Sequence, residues 1–304
     1  MPRRSTTLTE PVAERIDAHH HVWDLAVRPQ PWTNGLTVLE RSYAFDEVVP
    51  ALDRHRIDRT VLVQTLAVAD ETPDMLALVL GRPRIAGVVG WVDLTRADVA
   101  DQLARLQQAP GGDRLVGIRH LASDEPDPRW LCRPDVRRGL AAVGVAGLVY
   151  DLLVWRHQLP AVVETVHALP DQRFVLDHAG KPSVRTRELQ PWADDVRAIA
   201  RAENVAVKLS GLIVEADPRN WTVDDLRPYT DIVLGSFGPG RVMYGSDWPV
   251  CLLASSYDDV AESAEVLTAQ LTGEERRAVW GGTARGWYGL ARAGGPAERE
   301  EPTR

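Results

Sequence analysis

The sequence predicts an α/β protein folded as a single (β/α)8 TIM barrel, on three observations. Eight short apolar runs rich in β-branched residues recur along the chain, and segments of helical periodicity separate them. Residues 60–63, 86–89 and 174–176 are almost continuously apolar, as expected for parallel strands buried on both faces. Polar side chains follow nearly every run, where barrels of this class carry their active sites.

The strands and helices are predicted to alternate, with two helices after the eighth strand. Thr95 is the expected N-cap of the third helix, and Pro134 precedes the fourth as a first-turn proline. The predicted strands are Arg15–Ala18, Arg59–Gln64, Ile85–Val92, Leu115–Arg119, Ala146–Leu152, Arg173–Asp177, Asn204–Leu209 and Arg241–Gly245. The predicted helices are Phe45–Arg56, Asp74–Leu80, Arg96–Gln107, Asp135–Val143, Pro160–Leu169, Leu189–Ala202, Val223–Ser236, Tyr257–Leu271 and Glu274–Tyr288.

The first strand-to-helix connection is unusually long. Between Val22 and Ser42 no regular element is predicted, and loops longer than ~12–15 residues in compact domains are usually functional. We therefore expect this segment to form a lid over the mouth of the barrel. A doubly wound sheet is the alternative fold, but neither a G-x-G-x-x-G fingerprint nor a P-loop is found. The predicted divisions are a flexible segment over residues 1–14, a barrel over 15–290 and a disordered tail over 291–304.

Composition narrows the class of protein. The chain has 304 residues, a formal net charge of −8 and two cysteines far apart, Cys132 and Cys251. The charge argues against a nucleic-acid partner, and the cysteines do not indicate a disulfide framework. No run approaches the ~18 apolar residues of a membrane span, and the N-terminus lacks the apolar region of a signal peptide. We expect a cytoplasmic protein with a small-molecule partner; the sequence leaves open whether it forms a homo-oligomer.

Three histidines stand together at the end of the first predicted strand. Because side chains alternate between strand faces, His19 and His21 should point one way and His20 the other. Two imidazoles on one face make half of a metal site, although a His-rich polar turn is the alternative. The residues that follow the other strands are Gln64, Trp91, Asp93, Arg119, His120, Tyr150, Asp151, His178, Lys208, Ser210, Asp247 and Trp248.

The chain carries five motifs in order: Asp17-x-His19-x-His21-x-Trp23, Gly117-Ile118-Arg119-His120, Leu176-Asp177-His178-Ala179-Gly180-Lys181-Pro182, Lys208-Leu209-Ser210-Gly211 and Tyr244-Gly245-Ser246-Asp247-Trp248-Pro249. Together these motifs resemble the amidohydrolase superfamily, specifically its amidohydrolase-2 branch of sugar-acid and related lactonases. The resemblance extends over residues 15–290. It implies a TIM barrel with one divalent metal, zinc or manganese, surrounded by His19, His21, His178 and Asp247, and it leaves open whether that metal is indispensable.

A second metal is not expected. Binuclear members of the superfamily carry a carboxylated lysine or a glutamate after the fourth strand and a histidine after the fifth. Here those places hold Arg119 with His120 and Tyr150 with Asp151. Asp17 is expected to orient its neighbours rather than to bind the metal.

The expected chemistry is hydrolysis by an activated water. Asp247 would take the proton of the water and pass it to the leaving alkoxide, with His178 beside it. Arg119 or His120 would face the carbonyl oxygen as negative charge develops there. Without a metal, the imidazoles and Asp247 would activate water less strongly. The alternatives are a capping role for His120 and a turn role for Asp247.

The substrate is expected to be polyhydroxylated or planar and cyclic. Indole rings offer flat faces to sugar C–H groups and N–H donors to hydroxyls, although packing is the alternative role for each ring. For Lys181 the alternative is a solvated loop charge. The candidate substrate-binding residues are Arg119, Trp23, Trp32, Gln64, Trp91, Tyr150, Lys181 and Trp248.

Three functions are compatible with these residues. The first is a hydrolase that opens the lactone ring of a sugar acid, such as a deoxy-hexonolactone. The second is a metal-dependent, non-oxidative decarboxylase of an aromatic or muconate-like acid. The third is a binding protein on a barrel that has lost catalysis, against which the intact histidine and aspartate set argues.

Overall fold

The computed structural model describes residues 13–291, which contain an eight-stranded parallel sheet in the order β1 to β8. A parallel bridge between His20 and Trp248 joins the first strand to the segment after the last, and the backbone N–H of Asp247 donates to the His19 carbonyl at 2.8 Å. The predicted (β/α)8 barrel is therefore confirmed. The strands are β1 (Ile16–His20), β2 (Arg59–Val63), β3 (Ile85–Gly90), β4 (Leu115–His120), β5 (Val149–Leu152), β6 (Phe174–Leu176), β7 (Val205–Leu209) and β8 (Val242–Tyr244).

Helices lie between the strands, with three departures from prediction. The helices are α1 (Phe45–Arg54), α2 (Glu71–Val79), α3 (Val99–Gln108), α4 (Pro134–Val145), α5 (Leu159–Ala168), α6 (Trp192–Ala200), α7 (Val223–Phe237), α8 (Tyr257–Leu267), α9 (Gly273–Arg277) and α10 (Thr283–Tyr288). The predicted N-cap Thr95 is wrong, because its N–H and hydroxyl both donate to Asp93 and α3 begins only at Val99. The eighth helix ends at Leu267 rather than Leu271.

The predicted helix Glu274–Tyr288 is in fact broken. Between α9 and α10 the backbone leaves helical geometry at Gly281. A Cβ at this glycine would lie 2.3 Å from the carbonyl oxygen of Glu14, so the helix bends where it meets the segment that leads into β1. The break turns α10 towards the amino-terminal end of the barrel.

The barrel interior is filled by small and branched apolar side chains from the strands. One buried cluster unites Ile16, Ala18, Val61, Val63, Ala86, Val89, Val149, Val175, Ala206 and Met243 with Ala284, Tyr288 and Leu290 near the C-terminus. Residues from seven strands can meet only inside the barrel, so α10 and the residues after it close its lower end. The larger cluster packs the helices against the outer face of the sheet.

Strand β1 is irregular within the histidine motif. Its pairing with β2 shifts register between Asp17 and His20. Asp17 consequently faces the outer helices, where its carboxylate accepts from the backbone N–H of Ser246 and from the hydroxyl of Tyr257 on α8. It also accepts the N–H of His19 at 3.1 Å, so it orients the backbone on which that imidazole sits.

The predicted flexible segment 1–14 and disordered tail 291–304 lie outside the described residues, apart from residues 13, 14 and 291, and they stay predictions. The lid segment is described, and it contains one short 3₁₀ turn at Pro31–Thr33. Within residues 13–291 no helix is both long and apolar enough to cross a membrane.

Candidate active site

A layer of charged side chains lies inside the barrel, two residues beyond the apolar filling on several strands. Lys208 is fully buried, and its Nζ lies 2.5 Å from Asp151 Oδ2 and 3.0 Å from Asp177 Oδ1. The guanidinium of Arg119 donates to Asp177 Oδ2 at 3.0 Å. From the closed end of the barrel, the hydroxyl of Tyr288 donates to Asp151. Two cations thus balance two carboxylates, as buried charges require.

These partners set the protonation of the two carboxyl groups. Burial raises the pKa of Asp151 to about 6, against the opposing charge of Lys208. Burial would also raise the pKa of Asp177, but Lys208, His19 and Arg119 together hold it well below its usual value. Asp177 is therefore the firmly ionised member of the layer, and it faces the candidate catalytic cluster.

Four side chains meet above this layer: His19, His21, His178 and Asp247. His19, His178 and Asp247 each offer a ligand atom within 4.8 Å of the others. His21 Nε2 lies 3.1 Å from His19 Nε2 and 3.4 Å from Asp247 Oδ1. The four residues proposed as metal ligands from the sequence are thus brought together, and all four are buried. His20 points away and contacts Thr60 Oγ1 at 2.9 Å.

The hydrogen-bond partners of His19 and His21 indicate which ring nitrogen of each carries the proton. His21 Nδ1 lies 2.7 Å from the carbonyl oxygen of Val63; because a carbonyl only accepts, Nδ1 carries the proton and Nε2 offers a lone pair. His19 Nδ1 has two neighbours, the Lys208 ammonium at 3.1 Å and the Asp177 carboxylate at 3.4 Å. A bond from Lys208 places the His19 proton on Nε2, whereas a bond to Asp177 places it on Nδ1.

The donor set fits one divalent cation. When His19 is protonated on Nδ1, two imidazole lone pairs and the Asp247 carboxylate converge in a buried space, where a positive charge would stabilise them. Neutral imidazole and carboxylate are ligands that zinc and similar ions prefer. His178 can supply a third nitrogen: its Nδ1 lies 2.9 Å from Ser210 Oγ, and a hydroxyl can donate or accept, so either tautomer is satisfied.

Burial and the proximity of the four side chains to one another keep the cluster in the protonation state that metal binding needs. Burial lowers the pKa of His178 to about 4, and burial together with Lys208 lowers that of His19 well below its usual value. Burial alone would raise the pKa of Asp247, but the imidazoles of His178, His21 and His19 hold it well below its usual value. At neutral pH the cluster therefore presents an ionised carboxylate beside neutral His19 and His178.

The turn after β6 positions two candidate residues at once. His178, Ala179, Gly180 and Lys181 all have left-handed backbone angles, with φ of 52°, 51°, 69° and 50°. This conformation costs an L-residue ~1–2 kcal/mol. Two bonds offset part of that cost: the Lys181 N–H donates to the His178 carbonyl at 2.9 Å, and Trp192 Nε1 donates to the Ala179 carbonyl at 2.7 Å.

The segment after β7 supports the same turn from the other side. Gly211 has φ of 69°, and a Cβ there would lie 2.8 Å from the Cβ of His178. Glycine is thus required both by its conformation and by the close approach of the His178 ring. Ser210 and Gly211 together fix where this imidazole stands.

A cavity of about 180 Å³ opens directly onto the cluster. His21, His178 and Asp247 form part of its wall, together with the predicted substrate-binding residues Arg119 and Lys181. Trp32, from the lid, also lines it. The remaining lining residues are Thr65, Leu121, Ser123, Asp124, Leu153, Trp155 and Val250.

His120 does not line this cavity, and its role as a catalytic group stays a prediction. Arg119, the residue before it in the strand, points inward, and His120 therefore points to the outer side of the barrel. There it stacks on Trp130 with ring centroids 4.3 Å apart and lies 2.9 Å from Glu125 Oε1. Trp91, another predicted substrate-binding residue, donates its Nε1–H to His120 Nδ1 at 3.0 Å instead of reaching the cavity.

Four more predicted substrate-binding residues lie outside the cavity. Trp23 and Trp248 are buried on either side of Tyr43, and Trp23 Nε1 donates to the Arg41 carbonyl. The amide of Gln64 donates to the Arg119 carbonyl at 3.0 Å, and Tyr150 is buried against Phe174. None of these four side chains lines the cavity, and a direct contact of Trp23, Gln64, Tyr150 or Trp248 with substrate stays a prediction.

Sequence reasoning missed Asp177 and Glu215. Asp177 stands beside His178, and inward-facing Val175, two residues earlier, is the signal that places it inside the barrel. Glu215 lies 3.2 Å from Lys181 Nζ and 34 residues away in the chain, and no local pattern indicates this pair.

Comparison with known proteins gives a consistent result. The family model described as Amidohydrolase matches residues 16–290. The chain is 40% identical over 290 residues to the L-fucono-1,5-lactonase of Burkholderia multivorans, covering 91% of this chain and 97% of that protein. It is 34% identical over 288 residues to the L-fucono-1,5-lactonase of Burkholderia ambifaria, covering 92% and 97%. It is also similar to a crystal structure of a Burkholderia multivorans amidohydrolase with bound zinc (40% identity, TM-score 0.86, covering 92% of this chain and 100% of that chain).

Proposed function

The chain belongs to the amidohydrolase family, and we propose that it hydrolyses the lactone ring of a sugar acid, with L-fucono-1,5-lactone as the first candidate substrate. The observation that carries the proposal is the position of Asp247. Its carboxylate is ionised, surrounded by three imidazoles, and exposed to a cavity of about 180 Å³ with both aromatic and polar walls. The names of the two lactonase relatives supply the substrate class.

Asp247 acts as the base. An ionised carboxylate at the cavity wall orients a water molecule for attack on the lactone carbonyl and accepts its proton. The same carboxyl group then returns the proton to the ring oxygen as the C–O bond breaks. The ring oxygen thereby becomes a neutral hydroxyl group of the product hydroxy acid. The backbone fixes this side chain, since the Asp247 N–H is bonded to the His19 carbonyl at 2.8 Å.

The carbonyl oxygen must be stabilised as it gains negative charge. Arg119 lines the cavity, and its guanidinium is held rigidly by Asp177 and by the Gln64 carbonyl. When no metal is bound, His178 can add a second donor through the ring nitrogen that Ser210 does not occupy. Donors that are fixed before the reaction need no reorganisation during it, which is the main source of this kind of stabilisation.

We propose zinc or manganese as the metal, with His19, His21, His178 and Asp247 as the residues that would hold it. When bound, such an ion supplies Lewis-acid chemistry, which polarises the carbonyl and makes water more acidic. The zinc bound to the related amidohydrolase and the convergent lone pairs of the cluster support this assignment.

The cavity walls suit a sugar ring. Trp32 and Trp155 offer apolar faces, Leu153 and Val250 offer smaller apolar contacts, and Ser123 offers a hydroxyl. Trp32 is itself held by a bond from its Nε1 to Gln30 Oε1 at 2.7 Å, so the lid presents a fixed ring rather than a mobile one.

The proposal is tested with a panel of aldono-1,4- and aldono-1,5-lactones in a pH-indicator assay, with spontaneous opening subtracted. Turnover of L-fuconolactones above the other sugars is expected. If the whole panel is inert, the proposal fails; release of carbon dioxide from aromatic or muconate-like acids would then support the decarboxylase alternative. A cytoplasmic location, the absence of a nucleic-acid partner and the state of assembly stay predictions that this assay does not address.

A further inference from the structure

We propose that the pair Lys181–Glu215 makes the cavity selective for uncharged lactones over lactones that carry a carboxylate. The inference rests on the proposed lactonase function and concerns which members of that substrate class are accepted. Lys181 Nζ lies 3.2 Å from Glu215 Oε1 and 4.7 Å above the ring of Trp155. Both charged side chains are largely shielded from solvent, with 19% and 18% of their surfaces exposed.

The two cations that line the cavity are both already paired. Arg119 is bonded to Asp177 at 3.0 Å, and Lys181 to Glu215 at 3.2 Å. The two lining carboxylates, Asp124 and Asp247, add negative charge. In the proposed reaction the lactone carbonyl occupies Arg119. A carboxylate elsewhere on the substrate therefore finds no unpaired lining cation, and it would lose hydration without a compensating charge-assisted bond.

Lys181 is the cation whose pairing can be altered without touching the cluster. Arg119 shares Asp177 with Lys208 and His19, so removing Asp177 would disturb the whole interior. Glu215, by contrast, does not line the cavity, and its side chain is bonded to Lys181. The left-handed turn and the face of Trp155 hold the Lys181 side chain in place when Glu215 is neutralised.

Replacing Glu215 by Gln removes the negative charge, keeps the shape, and leaves an unpaired ammonium at the rim. Three lactones of galacto configuration form a matched substrate set, because they differ at carbon 6: L-fucono-1,4-lactone carries a methyl group, L-galactono-1,4-lactone a hydroxymethyl group and galactaro-1,4-lactone a carboxylate. The measured quantity is kcat/KM for the carboxylate lactone divided by kcat/KM for the methyl lactone.

The expected result is a rise of about tenfold in this ratio for Glu215→Gln, the size of one charge-assisted bond at a half-buried site. The double variant Lys181→Gln/Glu215→Gln should return the ratio to that of the wild type. Glu164→Gln is the matched control: it also removes a carboxylate paired with arginines, but on the outer helix α5, and it should leave the ratio unchanged.

An unchanged ratio in folded Glu215→Gln, or a gain that survives removal of Lys181, overturns the proposal. Glu215→Ser is the second variant should the first fail to fold. Wild-type turnover separates the proposed function from the proposed selectivity. A wild type that is inert towards every 1,4- and 1,5-lactone of the panel contradicts the lactonase function itself, whereas turnover with an unaltered ratio contradicts only the selectivity assigned to this pair.

Discussion

Trp192 Nε1 donates a 2.7 Å hydrogen bond to the carbonyl oxygen of Ala179, at the centre of the left-handed turn that carries His178 and Lys181. Trp192 is fully buried in α6 and packs on Tyr229, so the donor is rigid. The bond joins a stable helix to a backbone segment that would otherwise relax away from this conformation. It is thus a positioning contact for two residues of the cavity wall.

Replacing Trp192 by Phe keeps an aromatic ring but removes the N–H donor. We expect the unfolding free energy to fall by about 1–3 kcal/mol, because one buried carbonyl loses its partner. We expect kcat to fall further than KM changes, since His178 moves within the cluster. Trp287→Phe is the control: its Nε1 bonds the Phe174 carbonyl at 3.1 Å, remote from the cavity, and it should cost stability alone. Equal kinetic effects in both variants would argue against a positioning role.

The buried charge layer predicts a large effect for Lys208. Lys208→Met leaves Asp151 and Asp177 together in the interior with one fewer cation. Removing one partner of a buried ion pair typically costs ~3–5 kcal/mol. Urea denaturation followed by circular dichroism should show a loss of that order. Lys181→Met, which breaks the half-buried pair with Glu215, should lower the unfolding free energy much less. A comparable loss of unfolding free energy in the two variants would contradict this account of the interior.

The buried His20 predicts a pH-dependent stability. Burial lowers its pKa to about 3, whereas in the unfolded chain it takes up a proton near pH 6.5. Between these values the unfolded state binds one more proton, so stability rises with pH, by about 1.4 kcal/mol per pH unit from this residue. His20→Gln should flatten the dependence of unfolding free energy on pH between pH 4 and 6 by that slope. An identical pH profile would show that His20 is not the neutral, buried group described above.

Substitution of one of the four clustered residues should weaken metal binding, whereas substitution of His120, which lies outside the cavity, should not. His178→Ala is expected to weaken zinc binding at least tenfold, because it removes one nitrogen of the donor set. His120→Ala should leave the affinity unchanged, since that ring is engaged by Trp91, Trp130 and Glu125. Competition with a chromophoric chelator measures both. Equal affinities in the two variants would contradict the assignment of the site.

Much of the barrel and the histidine cluster follows from the sequence, because apolar runs and strand-end residues are local signals. Gln64, His120 and Tyr150 lie away from the cavity for one physical reason. Counting every polar residue at a strand end ignores the alternation of side chains, which places Arg119 inside and His120 outside, and Asp151 inside and Tyr150 outside. Applied from the inward-facing Val149 and Val175, the same rule places both Asp151 and Asp177 inside the barrel.

Other features have no local signal. The pair Lys181–Glu215 depends on tertiary contact between two loops, and the left-handed turn persists because Trp192 and Gly211 pack against it. The shifted register in β1, which turns Asp17 outward while His19 and His21 face inward, also breaks the simple alternation. Such irregularities concentrate at functional sites, where strain is held by the surrounding structure.

The most direct test of the central claim is the comparison of wild type with Asp247→Asn on L-fucono-1,5-lactone, corrected for spontaneous opening. The variant keeps the size of the side chain and loses the ionised carboxylate. The account predicts that the wild type opens the ring and that kcat/KM falls by about 10²–10⁴-fold in the variant, the usual contribution of a positioned base. Undiminished hydrolysis by a folded Asp247→Asn protein would contradict it.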